Sequence, residues 1–347
     1  MRVAQVMAGA REGGAELFFE RLSVALHRGG DSVLPVVRRD AGRAGRLRAA
    51  GLAPVELGFG GALDLLTRPR LRRVLRRFAP RVAVAWMGRA ARFAPAGDWV
   101  LAGRLGGYYD LSRFRRCDHL VANTRGLAQW IALQGWPEAR VRHLPNFAPD
   151  LAGAAAWPRG RDGAGRVPVP EGVPLVVALG RLHRNKGFDV LVRAMRWLPG
   201  VHVVIAGEGP ERVALERLAR GEGVAERLHL PGWTQDGAGL LAACDVLVCP
   251  SRQEPLGNVV LEGFSAGRAV VAAAAAGPAE LIEDGCTGML VAVEDEVALG
   301  AAIGAVLGDR ALASRLVAAG RAEFERAHAE APVLAQWRAF LGGVERR

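Results

Sequence analysis

The segment Pro250-Ser251-Arg252-Gln253-Glu254-Pro255-Leu256-Gly257-Asn258-Val259-Val260-Leu261-Glu262 places two carboxylates eight residues apart around a glycine. The apolar run Val246–Cys249 before it predicts a buried parallel strand, and a helix is predicted to start near Gly257. Loops beyond the carboxyl ends of parallel strands are where ligands sit. The open N–H groups of a helix start favour a phosphate. Glu254 on the loop and Glu262 about two turns into the helix could then accept hydrogen bonds from separate hydroxyls of one polyol. Folding a sheet requires neither carboxylate.

A second strand-end segment, Gly180-Arg181-Leu182-His183-Arg184-Asn185-Lys186-Gly187, carries the only lysine in the chain; the other 45 of the 46 basic residues are arginine. An ammonium is a compact point charge, whereas guanidinium is a wide planar fork. One incidental lysine on a helix shoulder is the alternative. Its place at a strand-to-helix turn favours Arg181 and Lys186 converging on a phosphate. A third turn, Gly9–Glu16, brings Gly13 and Gly14 to the start of the first helix, where backbone N–H groups approach a ligand. Its glycine spacing is neither G-x-G-x-x-G nor a P-loop, so dinucleotide and ATP binding are not supported.

These turns need alternating strands and helices to hold them. Strands are predicted at Val3–Met7, Ser32–Val37, Val82–Trp86, Trp99–Leu101, His119–Ala122 and Val141–Leu144. Helices fall at Ala15–His27, near 41–50, at 62–78 and at Thr124–Gln134. Residues 147–173 are rich in Pro, Gly and Ala without a period. Alternation resumes with strands at Leu175–Leu179, Val201–Ala206, Leu228–Leu230, Val246–Cys249, Ala269–Ala272 and 289–292. Helices at Asp189–Trp197, Pro210–Ala219, Gly239–Ala243, Gly257–Ala266 and 278–283 lie between them, and 294–308, 310–321 and 329–341 follow. The pattern predicts an α/β chain of two doubly wound, Rossmann-like domains facing each other across a cleft. Their expected bounds are 1–155, a linker at 156–173, then 174–325. A final helix at 326–347 is expected to return toward the first domain.

Composition narrows the function. The first 165 residues carry 27 arginines against 13 acidic residues, net +14, whereas residues 166–347 are net −3. Much of the excess lies in Arg68–Arg81, where Leu71, Val74, Leu75 and Phe78 recur at helical spacing among arginines. An amphipathic basic helix packs on a sheet, and its exposed Arg72, Arg73, Arg76 and Arg77 attract anionic lipid. No recognition helix or RNA-binding aromatic pattern accompanies the charge, so nucleic acid is not an expected partner. The four cysteines and seven histidines show no ligand spacing, so no metal or other cofactor is expected. Cys244, Cys249 and Cys286 read as core thiols. The opening MRVAQVMAGA does not read as a secretory signal, because its apolar run is short and soon meets Arg11-Glu12, and no run approaches the ~20 apolar residues of a membrane span. A cytoplasmic protein is expected, or one peripheral on the inner face of the membrane.

Taken together, the ordered motifs GRLHRNKG, AGEGP (206–210), LPGW (230–233), PSRQEPLGNVVLE and GPAELIEDGCTGMLV (277–291) resemble those of the retaining glycosyltransferases of family 4, which have the GT-B fold. The resemblance is strongest from about 174 to 292. It implies a nucleotide-sugar donor, UDP- or GDP-linked, and a lipid-linked or glycan acceptor of the envelope polysaccharide or lipopolysaccharide type. It implies that Arg181 and Lys186 bind the donor diphosphate, Glu254 the sugar hydroxyls and Glu262 the ribose. Gly13, Gly14, Gly207, Leu256, Gly257, Asn258 and Val259 complete the donor site, and retention proceeds by front-face attack without a covalent carboxylate. Two departures stand out. Pro255-Leu256 replaces the usual glycine-phenylalanine, and the N-terminal histidine common in the family has no counterpart in residues 85–95 or 103–111. Arg89, Tyr108, Tyr109 and Asp110 are the acceptor-side candidates there. A nucleotide-sugar epimerase of the same fold, or an inactive nucleotide-sugar-binding protein, is the alternative.

Overall fold

In the computed structural model the described residues are 1–10, 13–61, 64–160 and 169–346. They form two units, Met1–Phe147 with Glu330–Arg347, and Ala148–Ala329. The first unit runs β1 (Arg2–Met7), α1 (Gly14–Arg28), β2 (Ser32–Arg38), α2 (Ala41–Ala49), β3 (Val55–Leu57) and α3 (Thr67–Phe78). It continues with β4 (Val82–Trp86), α4 (Met87–Phe93), β5 (Val100–Leu105), β6 (His119–Ala122), α5 (Arg125–Leu133) and β7 (Val141–His143). The second unit has β8 (Leu175–Leu179), α6 (Phe188–Ala194), β9 (His202–Ala206), α7 (Arg212–Gly221), β10 (Leu228–His229), α8 (Gly237–Ala243) and β11 (Val246–Cys249). Then come α9 (Asn258–Ser265), β12 (Ala269–Ala273), α10 (Ala276–Leu281), β13 (Met289–Val291), α11 (Glu296–Gly308) and α12 (Arg310–Glu323). The last helix, α13 (Glu330–Gly343), belongs to the first unit.

Both sheets are parallel. Their strand orders are β3-β2-β1-β4-β5-β6-β7 and β10-β9-β8-β11-β12-β13. A parallel sheet covered on both faces needs mostly apolar strands, and the sequence supplies them in β4, β8, β11 and β12. In β4, Ala83 and Ala85 enter the core shared with Leu71 and Leu75 of α3, while Val82, Val84 and Trp86 enter the opposite core with Phe18 and Leu22 of α1. In β11, Val246 and Val248 face Leu191 and Ile303, while Leu247 and Cys249 face Val260 and Phe264. Strand order reverses between β1 and β4, and between β8 and β11. In such sheets that reversal opens a crevice at the carboxyl ends.

Several expectations need correction. The sequence pattern predicts no strand at β3, because three residues between Pro54 and Gly58 carry too little periodicity. Residues 85–95 contain helix α4 after the strand end, entered through Met87 in the left-handed region at φ 61°. α3 starts at Thr67, because the Asp64 carboxylate accepts from the Thr67 N–H at 2.9 Å and the Thr67 hydroxyl at 2.6 Å. Residues 62 and 63, the expected start of that helix, lie outside the described residues, as do 161–168 of the expected linker. The second unit begins at Ala148 instead of beyond 155. Trp157 anchors this stretch, donating its backbone N–H to Gly239 O at 2.9 Å and its indole N–H to Asp236 Oδ2 at 2.7 Å. Cys286 is exposed, on the turn before β13, while Cys117, Cys244 and Cys249 are buried.

α13 is built into the first unit's core. Trp337 is fully buried and stacks on Trp86, with ring centroids 6.3 Å apart and planes 13° apart. Arg338 bonds Asp31 Oδ2 at 3.1 Å and the Gly29 carbonyl. Truncating a buried tryptophan costs about 3–5 kcal/mol. Trp337→Ala is expected to lower the denaturant midpoint of the first unit while sparing that of the second, as resolved by fragment-specific hydrogen exchange. An unchanged first-unit midpoint would show that α13 adds nothing to that core.

Candidate functional site

Three loops of the second unit meet at the carboxyl ends of β8, β11 and β12. The β8 loop turns through Gly187, which has φ 63° and lies against the Pro250 carbonyl, where any Cβ would overlap. Asn185 O accepts from the N–H groups of Arg252 at 2.9 Å and Gln253 at 3.2 Å. The Arg252 guanidinium completes the clip, with two 2.7 Å bonds to the Asp189 carboxylate and further bonds to Glu294. From the β12 loop, the Gly277 N–H donates to Glu254 O at 2.8 Å, and Gly277 lies against the Leu256 backbone.

This clipping brings Lys186 Nζ within 2.5 Å of Glu254 Oε2, with the Ser251 hydroxyl 3.4 Å from the same oxygen. Burial opposes the ammonium charge, but the attraction of Glu254 and its hydrogen bond outweigh it, and Lys186 titrates above the usual lysine value. Burial raises the neighbouring Cys249 thiol to about 11, so it stays protonated at neutral pH. Gly257, at φ 92°, turns the chain into α9, whose start no side chain caps. The first-turn N–H groups of a helix lack intrahelical acceptors, and here those of Asn258 and Val259 lead the helix. Glu262 is partly exposed about one turn into α9, closer to its start than the spacing suggested. Gly207 follows β9 and lies against the Gly180 carbonyl. Arg181 is exposed and makes no ion pair with another described residue.

The first unit gathers a different set at the ends of β1, β4 and β5. Gly13 precedes α1 in extended backbone and Gly14 is its first residue; residues 11 and 12 of the turn lie outside the described residues. Glu16 of α1 turns back on this stretch. Its carboxylate accepts from the Ala10 N–H at 2.8 Å and lies where a Cβ on Gly9 or Gly13 would fall. Arg104 of β5 is buried, donating to Leu105 O and to Asn146 Oδ1, with its guanidinium 5.4 and 5.2 Å from the Phe18 and Trp86 ring centres. Burial holds it below the ordinary arginine value.

Of the acceptor-side candidates, Tyr109 is half-buried beside Phe114, and burial raises its phenol. Tyr108 is exposed, its ring edge-on to Trp130 at 5.2 Å. Arg89 is exposed on α4. Asp110 shapes the local backbone, since its carboxylate accepts from the Ser112 N–H at 3.0 Å and caps the short helical turn 111–114. Sequence reasoning missed Glu16, Arg104, Ser251, Arg252 and Gly277 as contributors. Gly277 was legible in its Gly-Pro-Ala-Glu segment. Among so many arginines, nothing marked Arg104 or Arg252. Among the described residues no three His, Cys, Asp or Glu side chains gather as metal ligands.

A family model described as "Glycosyl transferases group 1" matches residues 173–309. The chain is 35% identical to the lipopolysaccharide core biosynthesis glycosyltransferase LpsE of Rhizobium meliloti strain 1021, over 89% of this chain and 90% of LpsE. It is 34% identical to LpsD of the same strain, over 92% of each. Among solved structures, Anabaena HepE in complex with UDP and glucose has a TM-score of 0.82 at 19% identity, covering 99% of this chain and all of HepE. That likeness shows the GT-B fold, two Rossmann-like α/β domains. With the motif order, the two parallel sheets and identity along most of its length in agreement, the chain belongs to the group 1 glycosyl transferases.

Proposed function

We propose that the protein is a retaining hexosyltransferase of family 4, moving a sugar from a UDP- or GDP-sugar to a lipid-linked acceptor in lipopolysaccharide core or related envelope-glycan assembly. One observation carries the reading: the Lys186–Glu254 pair at 2.5 Å, set where the second sheet reverses strand order. The names of LpsE and LpsD support the acceptor class.

As the bond from the sugar's anomeric carbon to the diphosphate breaks, negative charge grows on the departing oxygen. Lys186, Arg181 and the positive end of the α9 dipole oppose that charge, the effect that lowers such barriers most. Glu254 accepts from sugar hydroxyls and Glu262 from the ribose. The acceptor hydroxyl attacks from the face that the diphosphate leaves, its oxygen bonding the anomeric carbon while its proton passes to the diphosphate. Configuration is thereby kept with no glycosyl-enzyme bond. Glu254 and Glu262 are therefore not a glycosidase acid–nucleophile pair.

The protein works at the cytoplasmic membrane surface in this reading. α3 buries Leu71 and Leu75 and exposes Arg72, Arg73, Arg76 and Arg77. No single described helix is long and apolar enough to cross a membrane. Each basic residue near an anionic surface contributes about 1 kcal/mol, so docking is reversible.

Three outcomes test these assignments. Lys186→Ala is expected to abolish most turnover, and Lys186→Arg to remain impaired because a fork does not reproduce a point contact. Full turnover and unchanged nucleoside-diphosphate affinity in both variants would remove Lys186 from the site. In calorimetry, Glu262→Ala is expected to weaken nucleoside diphosphate and donor alike, by about tenfold to a hundredfold, as for a lost buried hydrogen bond. Glu254→Ala is expected to spare the nucleoside diphosphate and lower turnover; equal losses of diphosphate binding in the two variants would refute the division of labour. Cosedimentation with anionic vesicles is expected to fade as salt rises and to fall in the Arg73→Glu/Arg77→Glu variant, with nucleotide affinity intact. Equal binding to anionic and neutral vesicles at low salt would favour a soluble acceptor.

A further inference from the structure

Beside the arginine face of α3 lies a second cationic feature with a different geometry. The Arg92 carbonyl, in the last turn of α4, accepts from Arg68 Nη2 at 2.8 Å and from Arg116 Nη1 at 3.3 Å. A helix C-terminus attracts one cation readily. Two guanidinia on one carbonyl, with the Arg92 side chain alongside, is more than capping requires. None of the three arginines makes an ion pair with a described carboxylate. Burial, then the like charges of Arg116 and Arg92, depress the Arg68 guanidinium.

A cavity of about 230 Å³ opens here, with Asp64, Leu65, Arg68, Pro69, Arg92 and Phe93 in its lining. The Asp64 carboxylate is already engaged by the N–H groups of Gly60, Leu66 and Thr67 and by the Thr67 hydroxyl. It pairs with none of the three arginines. Leu65, in this lining, is 81% exposed, and the adjoining Leu66 is 59% exposed.

We propose that Arg68, Arg92 and Arg116 bind a phosphate monoester carried by a membrane lipid. Guanidinium forks match phosphate oxygens in pairs, and a monoester offers three terminal oxygens and close to two negative charges at neutral pH. A soluble sugar phosphate would fit the arginines but leave Leu65 and Leu66 in water. A lipid places its phosphate at the arginines and its acyl boundary at the leucines. The site deepens the membrane-docking reading above and rests on it, replacing diffuse attraction with selection for one headgroup.

The test compares vesicles containing phosphatidic acid, a monoester, with phosphatidylglycerol vesicles, a diester, adjusted to the same zeta potential. The full chain is expected to bind phosphatidic acid vesicles about tenfold more tightly, the scale of one added charge-assisted hydrogen bond. Arg92→Gln/Arg116→Gln, at two exposed positions, is expected to erase this preference while keeping phosphatidylglycerol binding and the thermal midpoint. Equal binding of wild type to both vesicles, or a preference that survives in the variant, overturns the site. Absence of binding to any anionic vesicle overturns the docking reading and the lipid site together. Glycerol 3-phosphate binding that is lost in the variant, without any vesicle preference, would identify a soluble phosphate ester and overturn the lipid assignment.

Discussion

The second unit depends on the meeting of two loops through their backbones. Gly187 lies on the Pro250 carbonyl, and the Asn185 carbonyl takes the next two N–H groups of that loop. Nothing larger than hydrogen fits between them, so the loop after β8 and the loop after β11 behave as one piece. Arg252 reinforces the junction from the outside through Asp189 and Glu294. Lys186 and Glu254 are then held at hydrogen-bond distance by the scaffold instead of by their own attraction. An ion pair fixed in this way needs little reordering before either partner meets a ligand, which is the sense in which a site is preorganised.

The two units share one order over six strands, the first adding β7, and differ in chemistry at the strand ends. In the second, no side chain caps the start of α9 at Gly257. In the first, Glu16 reaches back to the Ala10 N–H and lies where a Cβ on Gly9 or Gly13 would fall. The chain's own negative charge thus lies at Gly9, Ala10 and Gly13 in the first unit. Arg104 follows a parallel logic, because a fully buried guanidinium bonded to a carbonyl and an amide, and flanked by rings, is held by geometry without a carboxylate.

Most of the second unit was legible because its strands are short, continuous apolar runs separated by glycine-bearing turns. β8 and β11 fall where the sequence predicts them. Lys186, Glu254 and Gly257 stood out as candidates for a chemical reason, a solitary lysine and a glutamate beside a helix-starting glycine, and the structure brings the first two together and sets the third at the start of α9. What stayed hidden depended on tertiary context. α4 lacks a polar cap and begins at a residue with positive φ, so no local signal announces it. Trp157 looked like linker because the residues that bury it, Asp236 and Gly239, lie far along the chain. Arg68, Arg92 and Arg116 come from three separate segments, and only the fold brings them to one carbonyl.

The stacking of Trp337 on Trp86 also orders events in time. Residues 148–329 form a contiguous unit, whereas the first unit takes α13 from beyond them. During synthesis the first 147 residues emerge early yet lack the helix that covers Trp86, Phe18 and Phe19. Domains fold as units while the chain is made. The unit translated first is therefore the last to finish, and its uncovered aromatic face stays open to solvent and to chaperones until the final helix leaves the ribosome.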